Sequence, residues 1–132
     1  MKAGAGNAEI RFPEELFPLE GFRGVHDLPK ASVLIIEEAQ KIAIVSIEIV
    51  MLWDDFLEKC REAVAEITDT PKQNVWIHVT HAITTPHAPG GPRVGLGGQV
   101  IEGKEKEDAS LVLHKRSLYE QTIMQALQEA AK

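Results

Sequence analysis

The chain has a single cysteine, Cys60, in 132 residues, so no internal disulfide can staple it. Positive charge is also short: the net charge is −6. A nucleic-acid partner is therefore not expected, because phosphate binding needs a basic face. No apolar run approaches the roughly 20 residues of a membrane span. The opening residues, Met1-Lys2-Ala3-Gly4-Ala5-Gly6, lack the apolar core of a signal peptide. These absences lead to the expectation of a cytoplasmic protein with no membrane partner. There is no internal repeat and no low-complexity tract. What is present is ordinary for a globular protein, with 44% hydrophobic and 26% charged residues. The length suits one domain, residues 1–132, with a real hydrophobic core.

The chemistry-bearing groups gather in one stretch. From Asn74, the residues Val75, Ile77 and Val79 alternate with Trp76, His78 and Thr80, which is strand periodicity. After His81 the periodicity stops, and Pro86, His87, Pro89, Gly90, Gly91 and Pro92 mark a loop. His81 and His87 thus fall at and just beyond the C-terminal end of a strand. In α/β proteins that edge is where ligands bind.

The rest of the chain builds a frame around this stretch. Ala8, Ile10 and Phe12 alternate in a short N-terminal strand at a sheet edge. Pro13 to Pro29 reads as a loop. It contains Gly24-Val25-His26-Asp27, where a carboxylate can orient an imidazole, or where His26 simply sits in a surface loop. Ala31 to Glu37 and Ile42 to Val50 are nearly continuous apolar runs, suited to strands buried on both faces. The short polar link between them makes a hairpin.

Glu48 stands out in the second run, because a carboxylate in an apolar strand needs a partner. It either serves a site or reaches solvent or an arginine at the strand end. Trp53, Phe56, Leu57, Cys60, Val64 and Ile67 form one helical stripe, ended by Thr68-Asp69-Thr70-Pro71. On that stripe Cys60 reads as a packing residue rather than a nucleophile.

Thr84 to Asp108 is a long loop holding six of the ten glycines. Its Gly95-Leu96-Gly97-Gly98 is not a phosphate loop, since no Lys-Ser/Thr follows. Ser110 to Ala131 predicts a second helix with Tyr119, Ile123, Ala126, Leu127 and Ala130 inward. Ser117 and Glu120 offer an alternative start as a capping box. The expected fold is α/β: a mixed sheet of about four strands and two main helices, containing a βαβ unit.

Imidazole and carboxylate are zinc ligands, and a catalytic zinc keeps one position for water. His81, His87, His26 and Glu48 are chemically sufficient ligands or proton carriers. His78 shares a strand face with Thr80 and points away from His81, as a supporting residue.

Taken in order, Gly24-Val25-His26, Ala31 to Ile36, Ile42 to Glu48, the Trp53 helix, Asn74-Val75 to Thr80-His81, Pro89-Gly90-Gly91 and the Tyr119 helix are found along nearly the whole chain. This succession resembles the N-terminal region of the neutral/alkaline non-lysosomal ceramidases and their bacterial relatives. The Asn-Val…Thr-His element is its most specific part. The resemblance implies a zinc-dependent amidase in which His81 binds the metal and His26 lines the site. Glu48 would stand where the family has Asp. Ile83 occupies the place of the family's second histidine, with His87 a candidate replacement. The family's further ligands lie beyond this length, so the remainder would come from a longer chain, a second chain or a second copy.

Three functions follow as expectations. The first is a metal-dependent hydrolase of a small-molecule amide, or its metal-site-bearing subunit, with His81 as zinc ligand and His26, His87 and Glu48 as catalytic groups. The second is a small homotrimeric isomerase or lyase, whose inter-subunit histidines act as acid and base without metal. The third is a non-catalytic partner subunit that docks through its glycine-rich loop.

Overall fold

The computed structural model describes residues 1–17, 22–86 and 109–132. Strand β1 is Lys2–Glu9. Its inward residue Ala8 and the following Ile10 are buried, as the alternation requires. Strands β2, Lys30–Glu37, and β3, Lys41–Ile47, form the hairpin, in register from Glu37↔Lys41 to Ala31↔Ile47. Helix α1, Asp54–Thr68, leads to β4, Val75–Val79, and α2 spans Ala109–Ala131. The sheet order is β1-β2-β3-β4. The first two pairings are antiparallel and β3–β4 is parallel, so β3, α1 and β4 make the βαβ unit.

Both helices cover the same face. Helix α2 packs on β1 and β2, α1 lies against β3 and β4, and the helices touch each other. Between them, Val33, Val45, Ile47 and Val75 meet Phe56, Cys60, Val64, Tyr119, Ile123 and Leu127 in one core. A fully buried aliphatic side chain of this kind stabilises by about 1.5–3 kcal/mol. The end of α2 lies so close to β1 that a methyl group at Gly6 would collide with the Ala130 carbonyl oxygen. Only glycine permits that approach. Arg116 of α2 joins the helices through a two-pronged contact to the Asp55 carboxylate at 2.9 and 3.2 Å.

Helix α1 ends where Asp69 turns left-handed, at φ 50°. The Thr70 N–H then donates to the Ala65 carbonyl at 3.0 Å. This closes the helix carbonyls that would otherwise lack donors.

Three expectations are corrected. First, β2 and β3 are buried on one face only. Leu34, on the other face, is 38% exposed, and Ile36, Ile42 and Ile44 are half-buried. Second, Ile67 is exposed, because the last turn of α1 brings it to the surface rather than to the core. Third, Ser117 and Glu120 form no capping box. The helix already begins at Ala109, so Ser117 Oγ accepts from Gln121 and Glu120 takes the Arg116 guanidinium. Among the described residues, no helix is long and apolar enough to cross a membrane.

Candidate functional site

The parallel pair β3–β4 ends at the rung Ile47↔Val79. Beyond it the ladder runs on for two bonds. The Thr80 N–H donates to the Ile47 carbonyl at 3.0 Å, and the Ala82 N–H to the Ile49 carbonyl at 3.1 Å. His81, between these two anchored residues, has a left-handed backbone with φ 57°. For a residue with a Cβ this conformation costs roughly 1–2 kcal/mol, and strain of this kind clusters at functional sites.

The imidazole is fixed as well. Its Nδ1 lies 3.0 Å from the Val50 carbonyl oxygen. A carbonyl can only accept, so in the neutral ring Nδ1 carries the proton and Nε2 keeps its lone pair. Val50 is itself buried, while His81 is exposed. The carbonyl of a buried residue thus orients the ring of an exposed one.

A cleft of about 690 Å³ opens beside this ladder extension. Phe12, Phe17, Phe22 and Leu28 line one part of it, and His26, Asp27, Glu48, Thr80 and Thr85 supply polar groups. Thr80 and Ala82 line the cleft, whereas the His81 ring between them turns to Val50. Phe12 stacks on Tyr119 with ring centroids 5.1 Å apart. The Tyr119 hydroxyl donates to the Pro86 carbonyl at 2.9 Å. Helix α2 therefore supports both the aromatic wall and the chain that leaves His81.

Glu48 lies one residue past β3 and is exposed. Its carboxylate Oε2 accepts the Lys30 N–H at 2.8 Å, and its own N–H donates to the Lys30 carbonyl at 2.9 Å. The strand-end position removes the anomaly of a carboxylate in an apolar run, yet the residue still faces the cleft. His26 also lines the cleft, with Nδ1 3.2 Å from Asp27 Oδ2. Both side chains are almost fully solvated, at 98% and 95% exposure. A pair so exposed carries little stabilisation of its own.

The structure thus brings His26 and Glu48 to one cleft and sets His81 in the segment that borders it. His78 pairs in register with Ser46 and is exposed on the face of the sheet opposite α1 and α2. His87 and the glycine-rich run after it lie outside the described residues. Among the described residues no three His, Cys, Asp or Glu side chains stand together as a metal site. Cys60 is buried, and desolvation, with the Glu120 charge second, pushes its thiol up to about 12. It is a packing residue with no thiolate to offer at neutral pH.

Sequence reasoning missed the aromatic wall and the Val50 carbonyl. Phe17 and Phe22 lay in a stretch without periodicity. The contact from Val50 to His81 joins residues that only the parallel pairing brings together. No family model matches this chain, and neither a curated protein nor a solved structure does.

Proposed function

We propose that this chain carries part of a metal-dependent hydrolase site, acting on the amide bond of a small molecule, at the C-terminal ends of β3 and β4. One observation carries the reading. His81 Nδ1 donates to the Val50 carbonyl, which leaves the lone pair on Nε2, in a segment whose neighbours Thr80 and Ala82 line the cleft. Metal-binding histidines are oriented in this way, with the second ring nitrogen bonded to a carbonyl or carboxylate. The left-handed backbone adds support, because the fold sustains a strained conformation at this residue alone in the ladder extension. The resemblance to the ceramidases favours the same residue and the amide bond.

The described residues supply one prepared imidazole, short of the three protein ligands of a catalytic zinc. The other ligands would come from outside them, from His87 or from a second copy of the chain. A bound zinc would polarise a carbonyl and make a hydroxide of its water. This chain's own groups would bind and position the substrate. The Phe12, Phe17 and Phe22 wall excludes water from one side. His26, 3.2 Å from the Asp27 carboxylate, would offer a solvated imidazole for proton transfer, and Glu48 a carboxylate held at the Lys30 amide.

Zinc reconstitution followed by dialysis and metal analysis tests the proposal. Near-stoichiometric zinc is expected in the natural chain. His81→Ala should lose most of it while keeping its thermal transition within a few degrees. No retained zinc, or equal zinc in both proteins, would count against the reading. The His26–Asp27 contact favours one alternative, acid–base chemistry without metal. Activity that survives chelation and disappears in His26→Ala would support that alternative instead.

A further inference from the structure

The geometry points to a second copy of this chain seated face to face on the side of the sheet opposite α1 and α2. That side shows two apolar rows in register, Ala5–Leu34–Ile44–Trp76 and Ala3–Ile36–Ile42. Trp76 is 60% exposed and Leu34 38%. The next row, Asn7–Ser32–Ser46–His78, is polar. Nothing in the two apolar rows carries a charge. The charged pair Glu9–Lys30 lies beyond the polar row at the end of the same face, so in a chain of net charge −6 the two apolar rows are where two copies can meet without like-charge contact.

The shape of the rows selects the occupant. A two-fold axis lying between β2 and β3, parallel to the strands, keeps apolar rows on apolar rows and reverses the strand order. Ala5 then lies opposite Trp76 of the partner subunit, and Leu34 lies opposite Ile44 of the partner subunit. The largest side chain of the row meets the smallest, and two medium ones meet each other. Such large-on-small matching fills the space between sheets that pack about 10 Å apart. It is also self-complementary, as a two-fold interface must be.

The area is adequate. Four strands spaced about 4.8 Å apart, the longest roughly 26 Å, give a flat footprint of roughly 450 Å² per copy. Side-chain relief enlarges it, so the pair would bury on the order of 1,000 Å², the threshold for a specific interface. With the helices outside, the dimer is a four-layer α/β/β/α sandwich. It also accounts for the two-sided apolar pattern of β2 and β3, which one copy leaves half satisfied.

Sedimentation velocity tests this on the full chain, with Trp emission as a second readout. Ala5 is exposed on an edge strand, so Ala5→Arg should fold. It places a long cation opposite Trp76 of the partner subunit. Ile44→Lys strikes the centre of the face. The natural chain should sediment as a dimer at about 100 µM, a range where an interface at the size threshold assembles. Its Trp emission should shift to the red on dilution. Both variants should sediment at half that mass with an unchanged far-ultraviolet circular dichroism spectrum. A monomeric or trimeric natural chain would overturn the proposal and leave the face to an unlike partner. A dimer that survives Ala5→Arg would overturn it too, by placing the contact elsewhere.

Discussion

A left-handed backbone at a histidine is unfavourable, and glycine relieves it. His81→Gly should therefore be more stable than His81→Ala by about 1 kcal/mol, since both lose the Val50 contact and only alanine keeps the strain. Denaturant midpoints of the two variants measure the difference. The inverse order would mean that the positive φ at His81 does not persist in solution. Cys60 gives a second prediction at this scale. Its thiol is raised from 9.0 to about 12 by burial first and the Glu120 charge second. Below pH 9 both folded and unfolded thiols are protonated, and the group has no effect. Between pH 9 and 12 the unfolded chain loses this proton and the folded one keeps it, so stability falls by at most about 1.4 kcal/mol per pH unit. Comparing pH 8 with pH 10 should show a loss of stability that is smaller in Cys60→Ala. An equal loss in both would show that the thiol does not contribute. The sequence placed Cys60 on the apolar stripe and His81 at a strand end. It could not show the tautomer, because that depends on a carbonyl thirty-one positions away.

Elements were more legible than their contacts. The alternation of Val75, Ile77 and Val79 and the stripe of Phe56, Cys60 and Val64 each state a period, and a period fixes an element and its inward face. Ends are set by other forces. Ile67 matched the stripe but fell in the last turn, where the core no longer reaches. Ser117 and Glu120 matched a cap, yet the helix ran past them and used both for contacts four residues away. Gly6 had no local signal in the sequence and is a packing site for α2. Gly6→Ala should lower stability by about 1–3 kcal/mol, the usual cost of overfilling a close contact, seen as a lower melting temperature. Tyr119→Phe removes the donor to the Pro86 carbonyl in a buried setting and should cost about 1–3 kcal/mol. Because that bond anchors the segment after His81, amide exchange in residues 82–85 should also speed up. Unchanged exchange would show that α2 does not hold this segment.

At the scale of the molecule, the α/β class, the hairpin and the βαβ unit followed from the order of runs and breaks. The one-sided burial did not, since an apolar run in sequence does not say what covers each face. The same gap separates the fold from the site. Strand periodicity put His81 at the end of β4, Glu48 stood out as a carboxylate in an apolar run, and the fold brings His26 and Glu48 to one cleft there. The aromatic wall was assembled by loop and helix contacts that have no local signature.

One nitrogen atom, His81 Nε2, decides whether the site can hold a metal. Nitrogen-15 spectra of the His81 ring, recorded before and after adding zinc, test it most directly. In the neutral ring the proton should sit on Nδ1, and the Nε2 resonance should move when zinc binds. A ring protonated at Nε2, or an Nε2 resonance indifferent to zinc, would contradict it.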